Sequence, residues 1–585
     1  MSTPPGPLYL GLDLSTQQLK AIVVDSDLKT VAQAKVEFDD DLGSKYGIRK
    51  GVHVRDATGE VVAPVAMWLE ALDLVLARLR AASPSPDVVA RIRAVGGAGQ
   101  QHGSVFWNAR AEACLAGLDA ARPLVDQLPA ALAHEWSPNW QDQSTQAECD
   151  AFDTALGGRQ KLAEVTGSGA HHRFTGAQIM RLRRVLPDMY ANTVRISLVS
   201  SWLASVLLGA LAPLDVSDVC GMNLWDMPAQ RYSHELLALA AGGRDGAEEL
   251  RAKLGEPVMD GGASLGLVSP YFVARYGFSP DCRVVPFTGD NPATMLALPL
   301  RPLDAIVSLG TSTTFLMNTS AYRPDGSYHF FNHPTTAGHY MFMLCYKNGG
   351  LARERVRDDL PRDAADAGTQ QKQQHQGGEW DAFNQAVMET PPLDMAEPGG
   401  RAKMGLYFCL RETVPNIRAG TWRFTCNPDG SALAPAADAW PRATDARIIT
   451  ESQALSMRLR ARALVHPPRD HLPAQPRRIY FVGGGSLNPA IARVLGDVLG
   501  GADGVYRLDV GGSACALGGA YKALWACERA PGQTLDDLVA ARWREESAVK
   551  RVGEGFRPET YRAYGRVLGA FEEMEQMLLA EEKHV

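Results

Sequence analysis

Leu8-Tyr-Leu-Gly-Leu-Asp-Leu14, then Ser15-Thr-Gln-Gln18, then Leu19-Lys-Ala-Ile-Val-Val-Asp25 reads as an apolar strand, a short polar turn and a second strand, with the carboxylate of Asp13 at the mouth of the hairpin. Far downstream the chain writes Ala305-Ile-Val-Ser-Leu309, Gly310-Thr-Ser-Thr313 and Thr314-Phe-Leu-Met317, again strand, hydroxyl-rich turn and strand. Taken together as a repeat, the hairpins predict two domains of one design, each offering a polar turn to a shared cleft. Taken singly, they are two unrelated hairpins.

Working outward, Ala63 to Ala82 carries apolar positions at helical spacing, and Ala90 to Val95 and Arg283 to Phe287 read as buried strands. Strands alternating with helices predict α/β layers. Arg478-Ile-Tyr-Phe-Val482 followed by Gly483-Gly-Gly-Ser-Leu-Asn-Pro-Ala-Ile491 reads as strand, glycine turn and helix start, a turn that lets backbone approach a ligand closely. Arg355 to Gly378, with Gln370-Gln-Lys-Gln-Gln-His-Gln-Gly-Gly378, has little to bury and is expected to be a surface insertion or mobile loop. Beyond Gly532 the pattern is charged and helical, with no chemistry assigned.

The 585 residues carry a net charge of -7 with both signs mixed along the chain. There is no basic stripe, so nucleic-acid binding has no electrostatic support, and small-molecule chemistry is the default. Nine cysteines, widely spaced, match neither a zinc site nor a disulfide scaffold and are expected to be reduced thiols of a cytoplasmic protein. The stretch Met1-Ser-Thr-Pro-Pro-Gly-Pro7 lacks the features of a secretory signal. Ile196 to Leu214 is uncharged and of membrane-span length, yet holds four serines, a glycine and a proline, and is expected to be core. No membrane partner is expected, and monomer and homodimer both remain open.

Ser15, Thr16, Thr311, Ser312 and Thr313 bring hydroxyls and backbone N–H groups to two strand ends, an arrangement suited to phosphates. No Gly-Lys pair exists anywhere, so a nucleotide would be held by hairpin turns rather than by a P-loop. Asp13 either holds a hydrated magnesium near those phosphates or bonds local turn amides. In Pro286-Phe-Thr-Gly-Asp-Asn-Pro292, Asp290 follows an apolar strand and is either a general base for an alcohol or a turn former. Gly96-Gly-Ala-Gly-Gln-Gln-His-Gly103 reads as a second glycine turn, whose Gln100, Gln101 and His102 suit hydrogen bonding to a polyol. Arg173 in His171-His-Arg-Phe-Thr175 either bonds sugar oxygens or pairs with a carboxylate, and the neighbouring histidines lack the spacing of a zinc-binding helix.

These residues resemble the FGGY carbohydrate kinases of the actin and hexokinase-like ATPase superfamily, and within them the eukaryotic-type branch that acts on D-xylulose. The resemblance rests on Asp13-Leu-Ser-Thr-Gln-Gln18, Gly51-Val-His53, Gly97-Ala-Gly-Gln-Gln-His-Gly-Ser104, Arg173-Phe-Thr-Gly176, Ile196-Ser-Leu-Val-Ser-Ser201, Phe287-Thr-Gly-Asp-Asn-Pro-Ala293 and Val307-Ser-Leu-Gly-Thr-Ser312. It implies an α/β fold of two ribonuclease H-like domains flanking a central cleft. Residues 8–299 would form a mainly sugar-binding domain, 300–545 a mainly ATP-binding domain and 546–585 a helical tail.

Carried over position by position, His102, Arg173, Asp290 and Asn291 are similar to the family's sugar-binding set, with Gln101 beside them and Asp290 as the base toward the C5 hydroxyl. Thr16, Gly310, Thr311 and Ser312 would face ATP phosphates. Trp380 resembles a residue near the adenine, Gly483, Gly484, Gly485 and Asn488 resemble the adenosine loop, and Asp13 matches a carboxylate that holds Mg2+ through water. In Trp140-Gln-Asp-Gln-Ser-Thr145 the Arg that follows the Asp in bacterial members is absent, so Asp142 is a secondary sugar candidate. The implied partners are a small ketose and ATP. The alternatives are a family kinase for another polyol, such as ribulose or glycerol, and a non-catalytic, nucleotide-responsive binding protein.

Overall fold

The computed structural model describes residues 6–83, 85–360, 378–396, 399–437, 440–508, 512–553 and 555–582. The chain divides into two units. Unit 1 is Met1–Leu300 with Ser320–Met341 and Ser513–Arg544, and unit 2 is Arg301–Thr319 with Phe342–Gly512 and Glu545–Val585.

In unit 1 the hairpin forms as its apolar runs dictate. Strand β1 (Leu8–Leu14) pairs antiparallel with β2 (Gln18–Asp25), which pairs antiparallel with β3 (Thr30–Glu37). On its other edge β1 runs parallel to β4 (Ile92–Gly99), and β4 runs parallel to two short strands, β5 (Arg283–Val284) and β6 (Thr288–Gly289). Leu8, Leu10 and Leu12 face the main core, where the helix Val65–Ala82 contributes Trp68, Leu72, Val75 and Leu79. Gly11 faces the opposite way, as the period of a strand requires. There the helix Ala514–Glu528 lies so close that a Cβ on Gly11 would sit 1.8 Å from the Ala516 carbonyl oxygen.

The same contact explains a departure from expectation. Gly96 and Gly97 belong to β4 rather than to a turn, and a Cβ on Gly96 would stand 2.3 Å from the Gly519 carbonyl oxygen. Gly96 makes room for a helix and Gly97 for the Phe287 ring, and the turn begins only at Gln100. Likewise the helix expected from Ala63 starts at Val65, because Glu60–Pro64 is a strand whose Pro64 caps it. The uncharged stretch Ile196–Leu214 holds the end of strand Arg195–Leu198 and a buried ten-residue helix, Val199–Leu208. No helix among the described residues is long and apolar enough to cross a membrane.

Unit 2 repeats the plan. Strand β7 (Ala305–Leu309) pairs antiparallel with β8 (Thr313–Thr319), which neighbours β9 (Tyr340–Tyr346). On its other edge β7 runs parallel to β10 (Ile479–Val482), and β10 runs parallel to β11 (Val505–Leu508). The order β9-β8-β7-β10-β11 thus reproduces β3-β2-β1-β4-β5.

The tail is not a separate element. Residues Val549–Gly553 form β12, antiparallel to β11, and the helix Pro558–Glu582 packs on helices Arg442–Ala461 and Pro489–Leu499 of unit 2. Residues Ser513–Arg544, expected in the second domain, belong to unit 1 because helix Ala514–Glu528 covers β1 and β4. Of the expected insertion Arg355–Gly378, residues 355–358 end the helix Gly350–Asp358 and residues 361–377 lie outside the described residues.

Candidate active site

Strand register lines up the carboxylates of unit 1. Asp13 stands opposite Ala98, and Ala98 opposite Thr288, two residues before Asp290 opens the helix Asp290–Leu296. Asp13 is buried and its Oδ1 has no hydrogen-bond partner among the described residues. Burial pushes its pKa up to about 7, against the pull of Lys20 across the hairpin, and the Asp290 charge raises it further. The donor set is one a hydrated cation would complete: a single buried carboxylate with an open oxygen, at a phosphate-type turn. Thr16 is tied into this unit, accepting from Trp140 Nε1 at 2.8 Å and donating to Gln100 Oε1 at 3.3 Å.

Asp290 Oδ1 accepts from the Asn291 backbone N–H at 2.8 Å and from Asn291 Nδ2 at 3.1 Å, and Nδ2 also donates to Gln101 Oε1 at 2.9 Å. Burial lifts the Asp290 pKa to about 6, while the amides of Asn291 and Gln101 and the charge of Arg173 hold it from rising further. Gln101 is buried, with no partner for its Nε2 among the described residues. Asp290, Asn291 and Gln101 thus form one ordered set, with a buried amide donor left for a ligand.

His102 adopts a left-handed backbone, φ 73°, an uncommon state for a side-chain-bearing residue. Its ring stacks on Phe174 with centroids 4.8 Å apart, and its Nδ1 donates to the Gly221 carbonyl at 3.1 Å. That contact fixes the tautomer, because a carbonyl only accepts. Burial and the charge of Arg173 hold the pKa well below the usual value, so the ring is neutral and presents Nε2 as an acceptor.

Arg173 is held by a residue that sequence reading did not single out. Its Nη2 lies 3.1 Å from His329 Nε2, and His329 Nδ1 lies 3.0 Å from Ser168 Oγ. A guanidinium only donates, so His329 Nε2 accepts and Nδ1 carries the proton. Burial and the Arg173 charge keep His329 neutral. His329 comes from the Ser320–Met341 segment, which the chain returns to unit 1, and no local motif announces it.

A second omission lies behind β6. Asp218 is buried, accepts from Ser200 Oγ at 2.5 Å, and has no partner for Oδ1 among the described residues. Burial drives its pKa up to about 8, with Asp215 and Asp290 adding to the rise. A Cβ on Gly289 would lie 2.8 Å from that Oδ1 and 2.5 Å from Gln101 Cγ, so the carboxyl sits against the backbone just before Asp290. Asp215 is paired with Lys522 at 3.1 Å, both fully buried, and accepts from Thr288 Oγ1 at 2.6 Å. Asp142, by contrast, is spent on structure. It accepts from the amides of Val61 and Ser144, the Ser144 hydroxyl and Gln178 Nε2.

In unit 2 the turn Gly310–Ser312 is closed by the Gly310 N–H on the Ser312 carbonyl at 3.0 Å. The helix Gly350–Asp358 starts against it, with the Gly350 N–H on the Gly310 carbonyl at 3.0 Å and the Leu351 N–H on the Thr311 carbonyl at 3.1 Å. The glycine turn after β10 adjoins the end of β7: Gly483 has φ 85°, and its Cβ would fall 2.8 Å from the Leu309 carbonyl oxygen. Gly484 faces open space. Asn488 caps the helix Pro489–Leu499, accepting from Ala490 and Ile491, and its Nδ2 donates to Asn384 Oδ1 at 2.7 Å. Asn384 lies one turn along the helix Asp381–Glu389 from Trp380, over whose ring the Arg357 guanidinium stands at 4.6 Å. The unit 2 residues expected at a nucleotide thus lie on or near two adjoining turns, while Thr16 lies in unit 1.

Residues 138–297 match the N-terminal domain, and residues 305–527 the C-terminal domain, of the FGGY family of carbohydrate kinases. The chain is 55% identical over 581 residues to the probable D-xylulose kinase A of Neosartorya fischeri, covering 99% of both chains. It is 54% identical over 581 residues to the D-xylulose kinase A of Aspergillus niger, covering 99% of this chain and 100% of that one. Among solved structures, the xylulose kinase from Rhodospirillum rubrum matches with a TM-score of 0.73 at 18% identity, covering 98% of this chain and 99% of that one. The Plasmodium falciparum glycerol kinase with ADP matches with a TM-score of 0.69 at 14% identity, covering 99% of both. At such identities the likeness is one of fold.

Proposed function

The chain belongs to the FGGY family of carbohydrate kinases, and from that premise we propose that it transfers the terminal phosphate of ATP to the C5 hydroxyl of D-xylulose, giving D-xylulose 5-phosphate and ADP. The observation that carries this reading is the Asp290 carboxylate, oriented by Asn291 and raised in pKa by burial, beside the buried Gln101 Nε2, which has no partner among the described residues. The substrate follows the names of the relatives that share most of the sequence over nearly the whole chain.

Asp290 accepts the hydroxyl proton as the oxygen attacks phosphorus, a base poised slightly below neutral pH. His102 Nε2 and Asn291 Oδ1 accept from sugar hydroxyls, while Arg173 and Gln101 Nε2 donate to sugar oxygens. In unit 2 the N–H groups and hydroxyls of Thr311 and Ser312, on the turn that Gly310 closes, suit phosphates, and Thr16 stands on the corresponding turn of unit 1. Gly483, Gly484 and Gly485 admit the nucleoside, beside Asn488 and Trp380. Magnesium, when bound through water to Asp13, neutralises phosphate charge. The nine free cysteines suit a reducing compartment, the cytoplasm.

The test is ADP release by the purified protein over D-xylulose, D-ribulose and glycerol. The highest kcat/KM is expected on D-xylulose. A higher value on ribulose or glycerol overturns the substrate, and ADP release that no sugar accelerates overturns the kinase reading.

A further inference from the structure

Arg353 lies in the helix Gly350–Asp358, 2% exposed, and among the described residues it forms no ion pair. Its Nη1 donates to Gln453 Oε1 at 2.5 Å, and its Nε has no partner among those residues. Gln453, on the helix Arg442–Ala461, also donates from Nε2 to the carbonyls of Asn348 at 2.7 Å and Gly349 at 3.1 Å. One amide thus fixes both the guanidinium and the chain entering its helix. Burial pulls the Arg353 pKa down to about 10, against the charge of neighbouring Glu354, which leaves it a cation at neutral pH.

A buried cation that forms no ion pair among the described residues is costly, and a neutral side chain of like volume would be cheaper if packing were its whole role. Its position supplies the other role. A Cβ on Gly485 would stand 3.6 Å from Arg353 Nη2 and 2.9 Å from Leu309 Cβ, so the guanidinium edge lies beneath the glycine turn, at the strand end that leads into Gly310. The same helix points its N-terminus at that turn, with its positive dipole end.

Resting on the reading that unit 2 takes the nucleotide, we infer that Arg353 is a phosphate anchor, oriented by Gln453 to donate to the phosphate chain of ATP and ADP. It recognises charge rather than the nucleoside. Its loss separates two properties that a packing residue would move together.

The test compares the full-length parent with Arg353→Met and Arg353→Lys, titrating ADP and adenosine calorimetrically and recording the thermal midpoint without ligand. Arg353→Met is expected to weaken ADP at least tenfold, equivalent to about 1.4 kcal/mol, to leave adenosine within about twofold, and to keep or raise the ligand-free midpoint. Arg353→Lys cannot serve Gln453 and a phosphate at once, so it is expected to weaken ADP several-fold with adenosine unmoved. It decides the matter if the Met variant does not fold. Unchanged ADP affinity, or equal losses for ADP and adenosine, overturns the assignment. A parent that binds no ADP refutes the nucleotide site itself, a result distinct from either.

Discussion

Asp290→Asn, followed across pH, tests the proposed base most directly. With the Asp290 pKa at about 6, roughly nine-tenths of the carboxyl is ionised at pH 7 and roughly one-tenth at pH 5. Turnover of the parent should therefore fall about tenfold between those values, whereas an aspartate at the ordinary 3.8 would hold nearly level to pH 5. Asparagine keeps the size and the contacts with Asn291 but cannot take a proton, so kcat is expected to drop by about 10²–10⁴-fold and the acid limb to vanish. The assay is coupled ADP release at D-xylulose well below its KM, where the rate follows kcat/KM and so the titration of the sugar-free protein, and at saturation for kcat, repeated at two magnesium concentrations. Asp13 titrates in the same region, at about 7, but its limb should move to lower pH as magnesium rises, because a bound cation favours the carboxylate. An Asn variant within tenfold of the parent, or one that keeps the limb near pH 6, refutes the reasoning.

His329→Ala removes the acceptor on Arg173, and a hydrogen bond to a charged group contributes about 1.5–3 kcal/mol. The KM for D-xylulose is expected to rise at least tenfold while the KM for ATP stays level, as initial rates would show. Lys522→Met leaves the Asp215 carboxylate buried without its cation, at a cost of about 3–5 kcal/mol, read as a fall in the unfolding midpoint. Gly483→Ala places a side chain at φ 85°, 2.8 Å from the Leu309 carbonyl, so the KM for ATP should increase with that for the sugar unaffected. Asp142→Ala should lower the thermal midpoint yet leave the sugar KM of the folded fraction unchanged, since its four side-chain hydrogen bonds, from Val61, Ser144 and Gln178, are structural.

The hairpin Leu8–Asp25 and its echo at Ala305 were legible because each is a local pattern, and a local pattern repeated at the same place in two sheets specifies the repeat of topology. Asp290, Asn291 and Gln101 could be read because polar residues cluster right after apolar strands. Asp218, Lys522, His329 and Arg353 could not. Each lies in an ordinary helix or strand, and its place depends on residues far away in sequence: Lys522 on Asp215, His329 on Arg173, Arg353 on Gln453. The glycines at 96 and 97 read as a turn for the same reason, since what they accommodate, the Gly519 carbonyl and the Phe287 ring, comes from distant sequence.

That helix also dictates when unit 1 can be completed during synthesis. Strands β1 and β4 emerge early from the ribosome, but their glycine-lined face waits for Ala514–Glu528, near the end of the chain. Until then the nascent sheet carries an uncovered groove whose missing filler is still untranslated, a burden for chaperones to shelter. A premature stop before Ser513 would leave that groove permanently vacant, and the truncated product should be retained by quality control or aggregate rather than accumulate as a free half-protein.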